Sequence, residues 1–269
     1  MRPLAKHTRL AAASLALLFV TRITGTNLNP LSLTRGASYQ QKSSAADSEV
    51  ARWQSQLSSP SIEERREAAM QLARLKSEAA FRTLASAVND PSPQVRAAVV
   101  TSLAEHDDEA AVPILANRLA IEKDPFVRKA TAYALGRFHA GERTAALAVA
   151  LRDKDSEVRA AAAISLGDHA DADALAPLAS ALSDRNDFVR AQAARGLGVN
   201  GRQAVLTVPA LIALLTKDED PEVKRQVAGA LGQIGDRSAL PALERARRDR
   251  DPYLAQAVAD AIRMIERGR

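Results

Sequence analysis

Six stretches of the chain repeat one spacing of apolar and polar residues. In each, a basic residue is followed seven positions later by Leu: Arg65/Leu72, Arg96/Leu103, Arg128/Leu135, Arg159/Leu166, Arg190/Leu197 and Lys224/Leu231. A seventh, degenerate copy has Ala255/Ile262. Successive anchors lie 31, 32, 31, 31, 34 and 31 residues apart, a regularity that chance does not produce. From the second copy on, the residue before the anchor is apolar (Val95, Val127, Val158, Val189, Val223, Leu254). Four after the anchor stands a small or β-branched residue (Ala69, Val100, Ala132, Ala163, Ala194, Ala228, Ala259). Apolar positions at −1, +3, +4 and +7 form one stripe at helical period, so each copy predicts a helix with one buried face. Upstream stand Asp124-Pro125, Asp155-Ser156, Asp220-Pro221 and Asp251-Pro252. Asp accepts hydrogen bonds from the free N–H groups of a first turn, and Pro suits the first helical position. Gly136, Gly167, Gly198 and Gly232 follow the Leu directly, where the helix ends or packs closely.

A second apolar stretch follows each of the first six copies, at 79–88, 110–119, 145–151, 174–182, 208–215 and 239–247. Pro113, Pro177, Pro209 and Pro241 fall early in these, where a missing N–H costs little. Each copy is therefore a helical hairpin too small to bury its own apolar face. Stacked neighbours supply the core, which predicts an all-α solenoid of about six and a half hairpins over residues 47–269. Residues 47–57, with Val50, Trp53 and Leu57, predict a capping helix ahead of the first hairpin.

The run Asp124-Pro125-x-Val127-Arg128-x-x-x-Ala132-x-x-Leu135-Gly136 resembles the HEAT repeat family, as does Asp220–Gly232 with Lys224 in place of Arg. The short period is similar to that of HEAT-like repeats in phycobilin lyases. The resemblance covers roughly residues 59–267. It implies a right-handed superhelix whose second helices line the concave side, and a role in binding other macromolecules.

Composition divides the chain further. It holds 37 Lys and Arg, 32 Asp and Glu, and no Cys, with a net charge of +5. Residues 1–46 contain Arg2, Lys6, Arg9, Arg22, Arg35 and Lys42 and no acid, so the body from residue 47 is close to neutral. A neutral body with unevenly spaced aromatics argues against nucleic acid. Without Cys there is no disulfide, thiolate metal site or Cys nucleophile. A basic start followed by the eleven-residue apolar stretch Leu10–Val20 gives residues 1–26 the layout of a secretory signal. The expected location is accordingly periplasmic or secreted, with an organelle transit peptide as the alternative. Residues 27–46, rich in Asn, Ser, Thr and Gln, are expected to be a flexible linker. No apolar run is long enough for an ordinary transmembrane helix.

Two sets of side chains draw attention. The anchors Arg65, Arg96, Arg128, Arg159, Arg190 and Lys224 make a basic ladder; Asp90, Glu122, Asp153, Asp184 and Asp218 each lie six residues before a rung from Arg96 onward. A matched acidic ladder suits structural pairing between repeats better than a phosphate-binding stripe. His106, His139 and His169 fall at one turn of three consecutive repeats. Helix spacing of about 8–10 Å puts rings on successive repeats about 10 Å apart, too far to share a metal. Asp107, Asp108, Asp168, Asp171 and Asp173 are expected to be turn and capping residues.

No nucleophile elbow, phosphate loop, zincin motif or dinucleotide fingerprint occurs. The His-Glu dipeptides of deoxyhypusine hydroxylases, another HEAT-like family, are absent too, leaving only Glu105-His106 in reverse. Neither a catalytic residue, a metal nor a cofactor is assigned. The expected function is a non-enzymatic protein-binding scaffold or assembly factor of the cell envelope. The alternative is a phycobilin-lyase-like handler of chromophores. The expected contact stripe on the second helices includes Ser86, Arg118, Arg152, Ser180, Lys217, Arg245 and Arg248.

Overall fold

The structure is a computed structural model and describes residues 47–139 and 141–268. Residues 1–26 and 27–46, where a signal segment and a linker are expected, lie outside the described residues. The chain divides into the units Met1–Ala51 and Arg52–Arg269. Fourteen α-helices and no strand occur among the described residues. Helix α1 spans 47–56. Hairpins then follow in order: α2 (Ile62–Leu75) with α3 (Glu78–Ser86), α4 (Pro93–Glu105) with α5 (Ala111–Ile121), and α6 (Pro125–Leu135) with α7 (Gly141–Ala150). Next come α8 (Ser156–Gly167) with α9 (Leu175–Ala181), α10 (Asp187–Val199) with α11 (Val208–Lys217), and α12 (Pro221–Ile234) with α13 (Leu240–Ala246). Helix α14 (Pro252–Arg267) is a first helix without a second.

The sequence signals act where their chemistry requires. Asp124, Asp155, Asp220 and Asp251 are N-caps whose carboxylates accept first-turn N–H groups, with Pro125, Pro221 and Pro252 directly behind three of them. The +7 leucines Leu72, Leu103, Leu135, Leu166, Leu197 and Leu231 are fully buried. Short 3₁₀ turns lead into α9, α11 and α13, and the one before α11 (Gly201–Thr207) takes up the longer 34-residue spacing.

Glycine lets the first helices approach one another. A Cβ built on Gly167 would lie 2.6 Å from the Gly196 Cα, and one on Gly232 would lie 2.7 Å from the Ala261 Cα. Neither can be accommodated without moving backbone. Within the Arg52–Arg269 unit, neighbouring first helices are in extended contact throughout, whereas among the second helices α5/α7 and α11/α13 touch and α3/α5, α7/α9 and α9/α11 barely do. The first helices are thus the more closely packed row.

Candidate partner-binding face

The ladder is built from the turn between one hairpin and the next. Arg65, Arg96, Arg128, Arg159 and Arg190 each aim Nε and Nη2 at both oxygens of the acid one repeat on: Asp90, Glu122, Asp153, Asp184 and Asp218, at 2.6–3.0 Å. Nη1 turns back to carbonyls at the start of its own turn; that of Arg96 donates to Asp90 O and that of Arg159 to Asp153 O. Each acid also accepts the backbone N–H of the N-cap residue two positions on, as Asp153 does from Asp155. Acid, N-cap and arginine thus close a motif that repeats along the stack. The last rung is looser, with Lys224 Nζ 3.8 Å from Asp249 Oδ2.

The five arginine rungs and the acids Glu122, Asp153, Asp184 and Asp218 are held in their ionised forms. The hydrogen bond to the acid raises each rung guanidinium, outweighing burial. Burial pushes the Asp153, Asp184 and Asp218 carboxyls up, but arginine and backbone hydrogen bonds overcome it and hold them below the usual range. Glu122 shows the largest effect. Burial again opposes ionisation, and Arg96, the Asp124 N–H and Arg118 together bring it to about 2.

The expected contact residues divide. Arg152 and Ser180 are exposed beside grooves, and Lys217, Arg245 and Arg248 are exposed on α11, α13 and the turn after α13. Ser86 is exposed, with its hydroxyl donating to Thr83 O at 2.7 Å. Arg118 does not face outward. Its side chain is 11% exposed, its Nε lies 3.1 Å from Glu122 Oε2, and its Nη1 donates to Asn89 Oδ1. A long cation four residues before a buried acid folds back onto it, which the outward register of the helix did not express.

Grooves open between the second helices. One of about 1000 Å³ lies between α5 and α7, floored by Ala116, Leu119, Ala120, Ala146 and Val149 and rimmed by Lys123, Arg152 and Lys154. A second of about 470 Å³ lies between α7 and α9 around Arg152, Pro177 and Ser180. Sequence reasoning missed Lys123 and Lys154. The signal for them is position: both follow a ladder acid directly, outside the helical stripe of the second helices. On the first-helix side, a groove of about 450 Å³ is bordered by Phe126, Lys129 and Tyr133.

The histidines require a second correction. The His139 and His169 rings are 4.3 Å apart between centroids, far closer than the repeat spacing suggested. Spacing between axes limits residues inside helices; side chains on the turns beyond can reach across. His169 Nε2 donates to Gly136 O at 2.8 Å, and His106 Nε2 is 3.3 Å from Leu72 O. Asp108 and Asp171 accept turn N–H groups from Ala110 and Asp173. Among the described residues, no three His, Cys, Asp or Glu side chains come together to hold a metal.

Arg143 was also missed. It occupies the place held elsewhere by buried Ala80, Ala111, Ala174 and Ala239, and it is itself 1% exposed. Its Nη1 donates to Ser165 O at 3.0 Å, Nη2 is 3.9 Å from Asp171 Oδ2, and Nε has no partner. Burial pushes this guanidinium down.

Comparison with known proteins gives the same architecture. A family model described as HEAT repeats matches residues 50–136, 144–207 and 181–263. Among solved structures, the Escherichia coli protein YibA aligns over 99% of both chains at 22% identity, with a TM-score of 0.61. Kap95p, solved with RanGDP, aligns over 79% of this chain and 34% of its own at 13% identity, with a TM-score of 0.58. An engineered protein aligns over 81% of this chain and 68% of its own at 22% identity, with a TM-score of 0.55. These likenesses concern the fold alone. No curated protein sequence matches the chain.

Proposed function

The chain belongs to the HEAT-repeat family, and from that premise we propose that it is a non-enzymatic scaffold holding a protein partner on its second-helix side. The observation that carries this reading is the division of charge. The ladder groups are tied to one another, while Arg152, Lys123 and Lys154 stand exposed around an open, alanine-lined groove. A groove with an apolar floor and a polar rim has the anatomy of a protein-binding patch. We further propose that residues 1–26 address the protein to the cell envelope, on the basic start and short apolar stretch they contain.

Affinity capture with the full chain tests the scaffold role, comparing wild type with Arg152→Glu/Lys154→Glu and with the first-helix variant Arg66→Glu. The reading expects a defined protein to be held by wild type and by Arg66→Glu and lost from the double variant. Equal capture by all three would move the contact elsewhere. Arg118 is left unaltered, since reversing it would break a buried ion pair.

A further inference from the structure

The groove between α5 and α7 carries more chemical information than its neighbours. Its floor consists largely of alanine, where small side chains let another backbone approach closely. Its charged groups gather at the turns that follow the two helices and at Arg128 on α6. Glu122, Lys123, Arg128, Arg152, Asp153 and Lys154 give four cations against two acids. The acids are already occupied: Glu122 by Arg96 and Arg118, Asp153 by Arg128. Lys123, Arg152 and Lys154 are exposed, and among the described residues none has a side-chain ion pair. The unbalanced charge at that end is therefore positive, and a ligand seated along the apolar floor meets it at one end only.

We infer that this groove takes an amphipathic helix whose apolar face ends in a cluster of carboxylates. The inference rests on the scaffold reading and names the chemistry of its partner. The groove is lined from Ala116 on α5 and Ala146 on α7 as far as Lys123 and Lys154 on the turns beyond, a length of about 12 Å, or roughly two turns of a docked helix. An apolar stripe at i, i+3, i+4 and i+7 would lie on Ala116, Ala120, Ala146 and Val149, the usual helix-in-groove arrangement. Glu or Asp in the terminal turn would meet Lys123, Arg152 and Lys154. A basic helix would meet the same three cations as like charges, so the groove discriminates by sign.

The test uses the full chain and fluorescence anisotropy with three probes. These are a labelled Leu-striped helical peptide ending in glutamates, the same peptide ending in lysines, and vesicles containing phosphatidylglycerol. The inference expects the glutamate peptide to bind at least about tenfold more tightly than the lysine peptide. Arg152→Glu/Lys154→Glu should reverse that order, and Ala120→Trp, at an exposed position on the floor, should abolish binding while circular dichroism stays unchanged. Equal affinity for both peptides, or indifference to the double variant, overturns it. Binding of the vesicles alone also overturns it and assigns the groove to a lipid. If the peptides fail while a native protein is still captured by wild type and lost from the double variant, only the partner chemistry is wrong. Failure of both experiments removes the scaffold reading as well.

Discussion

Replacing Glu122 by Gln removes a single charge at the most enclosed acid of the ladder. Arg96 Nε and Nη2 donate to the carboxylate at 2.8 Å, and the Lys123 and Asp124 N–H groups donate at 2.9 Å. Arg118 stands 3.1 Å away. Only 1% of the Glu122 side chain is exposed. Its carboxyl lies at about 2 against an ordinary 4.5, a difference on the order of 3 kcal/mol at about 1.4 kcal/mol per unit. The amide fills the same space but leaves two guanidinium groups without a counter-charge; breaking a buried pair in this way costs about 3–5 kcal/mol. A loss of about 3 kcal/mol is expected near neutral pH. The direction with pH follows from linkage: because the folded value is depressed, the stabilisation is complete above about pH 4.5 and fades as pH falls toward about 2. Urea unfolding of the full chain, followed by helical circular dichroism at about pH 7 and about pH 2.5, measures both effects. Glu63→Gln, at the exposed Arg66–Glu63 pair, is the control and should change stability by less than about 0.5 kcal/mol. A loss below about 1 kcal/mol at neutral pH, or a gap between wild type and variant that does not narrow in acid, would refute the reasoning.

Other expectations concern packing and the weak rung. Gly167→Ala places a methyl against the Gly196 backbone and should lower stability by about 1–3 kcal/mol, whereas Gly229→Ala, with nothing within 4 Å, should raise it by about 0.5–1 kcal/mol; one denaturation series reads both. Lys224→Arg should convert the 3.8 Å contact with Asp249 into a two-pronged pair, raising thermal stability by a few tenths of a kcal/mol to about 1 kcal/mol. Arg143→Met removes a buried cation with an unpartnered Nε and should leave stability unchanged or raise it by about 1 kcal/mol, while a loss above about 2 kcal/mol would show the Ser165 hydrogen bond to be essential.

What the sequence made legible was local or strictly periodic. The helix starts follow from Asp and Pro at fixed offsets, and the buried stripe follows from Leu seven positions after each anchor. The partners of the ladder could be named because every repeat places acid and base in the same register. What stayed hidden depends on where side chains go once repeats are stacked. Arg118 and Arg152 occupy related places in the hydrophobic pattern, yet Arg118 lies four residues before a buried acid and folds onto it. Arg143 interrupts a column of alanines, a signal visible only after the columns are aligned. The approach of His139 to His169 and the tighter spacing of the first helices come from turn geometry and helix contacts between repeats. A helical period within one repeat carries no record of either.

The central claim is that partner recognition belongs to the second-helix side while the ladder serves the fold. Site-specific photo-cross-linking of the full chain tests it most directly, with the probe placed at Val149 on α7, 70% exposed, and separately at Tyr133 on α6, 45% exposed. The account predicts a discrete protein adduct from Val149 and none from Tyr133. An adduct from Tyr133 with none from Val149 would contradict it.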